Sequence, residues 1–151
     1  MNPMDAMAGL LEWAGKNIAY NLDYIPDDKL NWKPEPGAKS ALEIIQHTAG
    51  AMMSLQPLLT GGGFVPNEPP LPADREAAKQ LIVAASGAYA EGMRHVNPEL
   101  LGGSVDFPWG PMPFPQAASL AVLDSVHHHG QIAYIQTLLG DNEDHFDPEA
   151  M

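Results

Sequence analysis

The sequence predicts an all-α protein built as a four-helix bundle, and three observations carry that reading. Four stretches place apolar residues at the three- and four-residue spacing of a helix face. Long connections rich in proline and glycine separate them, and no credible strand lies between them. The chain has 151 residues, enough for one domain to enclose its own core.

The first helix is expected from about Met4 to Ile25. Asn2-Pro3 reads as an N-cap followed by proline at the first helical position. Met7, Leu10, Leu11, Ala14, Ile18, Leu22 and Ile25 form its apolar face, and Pro26 ends it. The second helix opens on Ser40-Ala-Leu-Glu43, a capping box in which serine and glutamate each satisfy an orphan backbone N–H. Its apolar face runs through Ile44, Ile45, Met52, Leu55 and Leu59 to a stop at Gly61-Gly62-Gly63. The third helix is expected from an acidic cap at Asp74 to Val96, closed by Asn97-Pro98. The fourth runs from about Pro115 to Leu139, with Gly140 as its C-terminal cap.

Each connection is long for a small domain, which predicts that at least one crosses the bundle and that they rim a site. The stretch 97–114, with its run of prolines, cannot be helical throughout. The expected organisation is a bundle domain over 1–140 and an acidic, frayed tail over 141–151.

Composition narrows the chemistry. There is no cysteine, which excludes disulfides, thiolate ligands and a cysteine nucleophile, so a transition-metal site must use His, Asp or Glu. Seven Lys+Arg against nineteen Asp+Glu give a net charge of −12, which argues against nucleic acid as a partner. The first residues lack the basic lead of a signal peptide, and no apolar run approaches the roughly 20 residues of a membrane span. A cytoplasmic location is expected.

The most informative stretch is Asp124-Ser-Val-His127-His128-His129-Gly130-Gln131. Consecutive helical residues point about 100° apart, so three adjacent histidines cannot meet one ion. With Asp124 at zero, His128 falls at about +40°, Gln131 at about −20° and His127 at about −60°, while His129 near +140° faces elsewhere. Asp124 and His128 are thus an i, i+4 pair able to grip one metal, and His127 could replace either. His47, at the edge of the second helix's apolar face, is the candidate from a facing helix. Gly130 inside a helix costs roughly 1 kcal/mol relative to alanine, which predicts a close backbone approach there. Trp32 and Trp109 are expected to wall a pocket, with Trp32 and Gln131 the candidate substrate-pocket residues.

Leu30-Asn-Trp32-Lys-Pro34, Ser40 through His47, and Asp124 through Gln131 together resemble the DinB-like (YfiT-like) superfamily. The resemblance covers nearly the whole chain. It implies a four-helix bundle of up-down-down-up topology, frequently a homodimer, holding a divalent ion such as zinc or nickel. The family's usual ligands are three histidines. The matching positions are His47, Asp124 and His128, so one histidine is an aspartate here. Some branches carry Asp-x-x-His-His, which keeps His127 as a rival ligand, and the family's usual arginine before Gly-Gln is His129. Two histidines and a carboxylate leave open coordination positions, the arrangement of a catalytic site. The resemblance therefore implies a metal-dependent enzyme acting on a small molecule, by thiol-dependent transfer or isomerisation with a low-molecular-weight thiol, or by hydrolysis. The alternative is a non-catalytic small-molecule-binding or dimer-forming bundle with a vestigial or structural metal site.

Overall fold

Four long helices form: α1 (Asp5–Leu22), α2 (Ala41–Leu55), α3 (Arg75–Arg94) and α4 (Phe114–Leu138). This computed structural model describes residues 2–150. α1 packs against α3 and α4, and α2 packs against the same two helices. The order around the bundle is therefore α1–α3–α2–α4, and the connections 23–40 and 95–113 both cross a diagonal. This crossing is what sets α2 beside α4.

Residues at helical spacing supply the core. On α3, Ala78, Ile82, Ala85, Tyr89 and Met93 are buried along one face, opposite Leu11, Ile18 and Leu22 of α1. The Tyr89 hydroxyl reaches across the core and donates to the Ala118 carbonyl at 3.1 Å. Burial pushes this phenol well above its ordinary pKa, so it stays a neutral donor.

Capping follows the sequence closely in α2 and α3. Ser40 accepts from the Glu43 N–H while Glu43 accepts from Ser40 N, and Asp74 accepts from Ala77 N. Gly140 takes a left-handed φ of 103° just past α4, as its place predicts. Asn2 serves two helices. The regular α1 helix opens after Met4, and Asn2 Oδ1 accepts from Met4 N at 2.9 Å, as an N-cap does, while Asn2 Nδ2 donates to the carbonyls of Met93 and Arg94 at the end of α3.

Two elements differ from what the sequence predicts. A strand pair does occur: β1 (Ser104–Phe107) pairs antiparallel with β2 (Gly110–Pro113) inside the last connection. Four-residue strands are too short for alternation to stand out, and prolines at 111 and 113 hide them further. α2 also stops at Leu55 rather than Leu59, tightening into a 3-10 turn over Gln56–Thr60. Pro57 has no N–H to continue the α ladder. The tail, expected to fray, instead lies against α1. Asp147 N donates to Asn17 Oδ1, the His145 ring stacks on Tyr24 at 3.4 Å, and Phe146 stacks on Trp13 at 6.0 Å.

α1 and α3 meet most closely at Gly15, where a Cβ would come within 2.1 Å of Ser86 Oγ and 2.7 Å of Ser86 Cβ. Gly15→Ala should therefore cost about 1–3 kcal/mol in a urea melt, the usual range for overpacking. In a Ser86→Gly background the same substitution should cost measurably less.

Candidate metal centre

His47 projects from the middle of α2, seven residues after the Ser40 cap, and Asp124 and His128 lie one turn apart on α4. Because α2 and α4 are neighbours, the three side chains converge. One ligand atom from each lies within 4.8 Å of the other two. His128 is buried, Asp124 half-buried and His47 exposed to a cleft. His128 Nε2 stands 3.2 Å from Asp124 Oδ1. That is close to the donor–donor edge of about 3.3 Å in a tetrahedral site with ligands 2.0–2.1 Å from zinc.

The remaining atoms of the pair are arranged to match. His128 Nδ1 donates to Gln131 Oε1 at 2.6 Å, which leaves Nε2 facing Asp124, where it offers a lone pair in the neutral ring and donates to the carboxylate when the ring is protonated. Among the described residues, Asp124 Oδ2 is the one buried side-chain polar atom with no hydrogen-bond partner. Buried carboxylate oxygens ordinarily find a donor or a cation. A lone pair and a carboxylate aimed at one point, with one oxygen orphaned, is a donor set that fits a divalent ion.

The electrostatics separate the two histidines. Partial burial and the neighbouring His128 hold the His47 pKa below its ordinary value, against a smaller opposing pull from Asp124. Burial also works to lower His128, but hydrogen bonds to Asp124 and Gln131 outweigh it and leave its pKa raised. The Asp124–His128 pair thus selects for positive charge, while His47 is kept as a neutral lone-pair donor.

The neighbours fall where helix geometry puts them, but the two residues expected in the substrate pocket do not line the cleft. His127 stands on the cleft wall, 4.9 Å from His128 between ring centroids, but outside the three-donor cluster. His129 points away and meets Asn21 Oδ1 on α1 at 2.6 Å. Gln131 holds His128 rather than lining the cleft, and Trp32 packs on the core instead of walling it. Trp32 follows a 3-10 turn that folds it down behind Leu30, so its side chain is spent on packing. A Cβ added at Gly130 would meet nothing within 4 Å, so no close backbone approach occurs within the chain.

The cleft beside the three donors has a volume of about 1130 Å³. Sequence reading missed most of its wall. The segment 61–73 is strapped along α2: Gln46 Nε2 donates to Pro69 O at 2.8 Å, and Asn67 N donates to Ser54 Oγ at 2.8 Å. Gly50 permits this, since a Cβ there would stand 2.9 Å from Asn67 O. Phe64 from the strap meets Phe107 and Trp109 from the β1–β2 hairpin, with Phe107 and Trp109 stacked at 4.8 Å. The run of prolines was the available signal, because it fixes both connections as structured walls rather than slack loops.

A four-helix bundle with a two-histidine, one-carboxylate cluster on facing helices defines a class of possible metal-binding bundles. The model of the DinB superfamily matches residues 10–132, and the chain belongs to that superfamily. Two solved structures share its fold. The DinB-like protein YjoA of Bacillus subtilis has a TM-score of 0.75 at 15% identity, covering 93% of this chain and 96% of that one. YfiT of Bacillus subtilis, described as a probable metal-dependent hydrolase with an unusual four-helix bundle topology, has a TM-score of 0.77 at 16% identity. That match covers 91% of this chain and 87% of YfiT. A search of curated proteins finds no match. Among the described residues, no helix is long and apolar enough to cross a membrane.

In metal-free protein, an NMR titration of the ring protons should find His47 titrating below 6.5 and His128 above it, in keeping with the two directions of shift. The reverse order would contradict this electrostatic account.

Proposed function

We propose that the protein is a metal-dependent enzyme acting on a small molecule, with one divalent ion, zinc or nickel, held by His47, Asp124 and His128. The observation that carries this reading is the convergence of those three donors beside the cleft, with Asp124 Oδ2 otherwise unpartnered. Three protein ligands leave coordination positions open, as catalytic sites do. Seated there, the ion would supply Lewis acidity, drawing the pKa of a water or thiol into the physiological range.

The chain's own residues prepare the site for that chemistry. Gln131 fixes the His128 tautomer, and the shifted His47 keeps its lone pair available. Phe64, Phe107 and Leu120 give the cleft an apolar stretch of wall beside the donors. His127, on the wall but outside the donor cluster, can accept or donate a proton at its imidazole. Hydrolysis is the leading reaction, supported by the same fold in YfiT and what that protein is described as. The cleft exceeds the roughly 300–1,000 Å³ of a typical single-ligand pocket. Its size keeps thiol-dependent transfer, which needs a co-substrate, as the second reading.

We also propose that the chain acts in the cytoplasm and self-associates through α4, where Leu123, Val126 and Tyr134 are exposed. Gly130 lies among them with open space around it, which suits approach by a second backbone.

Protein purified without tag or added metal should carry close to one equivalent of ion by elemental analysis. His47→Ala should lose it, and Gln131→Leu should weaken metal binding by about 10–100-fold, the usual effect of removing a residue that orients a ligand. Trace metal that His47→Ala leaves unchanged would remove the basis of the reading.

A further inference from the structure

The wall of the cleft carries features that metal binding does not use. Trp109 is 65% exposed, a large apolar ring left in solvent at the mouth of a pocket. One of its neighbours, Phe107, lies nearly parallel to it at an interplanar angle of 12°. Phe64 closes a second side at 64°. The three rings come from two separate connections, so they form a supported platform on which a further planar ring can stack.

Charge on the same wall is uneven. Two lysines line the cleft. Lys33 is paired with Glu43 at 2.9 Å, whereas Lys39 makes no ion pair or side-chain hydrogen bond among the described residues. Lys39 lines the same cleft as His47 and Asp124. Glu68 and Asp124 also border the cleft, so an anion entering it is turned toward Lys39. On a chain with a net charge of −12, an unpaired, exposed lysine on the wall of a cleft is a selective place for an anionic group.

We infer that the cleft takes a small molecule with a planar apolar body and one anionic group, the body against Trp109 and Phe64 and the anion against Lys39. This names the substrate class for the proposed reaction and rests on that reading only for where the chemistry occurs. The recognition itself needs no metal.

Both positions are exposed, so Trp109→Ala and Lys39→Gln can be tested without unfolding the bundle. The probes are naphthalene-2-sulfonate, neutral 2-naphthalenemethanol and non-planar hexanesulfonate, titrated calorimetrically into zinc-loaded and chelator-treated protein. Naphthalene-2-sulfonate should bind most tightly of the three. Trp109→Ala should weaken both naphthalene probes by about five- to tenfold and leave hexanesulfonate unchanged. Lys39→Gln should weaken both sulfonates by about three- to tenfold and leave the alcohol unchanged. The pattern should persist after chelation. If the pattern is found in protein that neither carries zinc as purified nor takes it up on titration, the inference stands and the proposed reaction falls. Equal affinity of wild type and both variants for naphthalene-2-sulfonate, or no saturable binding of it, overturns the inference even where zinc is bound.

Discussion

A carboxylate oxygen withdrawn from water has to meet a donor or a cation, and Asp124 Oδ2 meets no donor among the described residues. Leaving such an atom unsatisfied costs on the order of 1–3 kcal/mol, more when the group is charged. The chain buries it there anyway, on the carboxylate whose other oxygen stands 3.2 Å from His128 Nε2, with the His47 ring centroid 4.9 Å from that of His128. A single positive ion at that point would offset the cost of all three groups at once. The packing of α2 on α4 holds them in reach of each other.

That packing is a product of topology. Since α1 and α2 do not pack broadly against each other, and neither do α3 and α4, the two connections joining them must travel across the bundle. Their length is then available for building a wall, to which residues 33–39 and 107–109 contribute. The α2–α3 connection, which crosses no diagonal, adds the segment 61–73, held to α2 by Ser54 and Gln46 with Gly50 leaving room for it. The hairpin after α3 brings Phe107 and Trp109 to the same place. The site thus has its donors on rigid helices and its walls on anchored connections, an arrangement that fixes ligand geometry while leaving the mouth open.

Much of this was legible in the sequence, and the reasons are physical. Helices announce themselves through periodicity and caps, and Ser40, Asp74 and Gly140 stand where the capping signals put them. Helix geometry alone paired Asp124 with His128 and turned His129 away, which the structure repeats. Between Asp124 and His127, left open by angle alone, the distances favour Asp124 as the third member of the cluster. Other features depend on long-range contacts that no local pattern carries. Trp32 and Trp109 looked alike as loop tryptophans, but one is folded against the core and the other is left on the cleft. The tail, acidic and polar, gave no sign that Asn17 and Trp13 of α1 would receive it. Among the described residues, nothing lies within 4 Å of where a Cβ at Gly130 would stand, so no close approach there offsets its cost.

The most direct measurement is X-ray absorption at the metal edge of the purified protein, set beside the His47→Ala variant. The account predicts a shell of two imidazole nitrogens and one carboxylate oxygen near 2.0–2.1 Å for zinc, with solvent oxygen completing it. One imidazole should disappear from that shell in the variant. A spectrum without imidazole scattering, or one that the substitution leaves untouched, would show that the ion is held elsewhere and contradict the account.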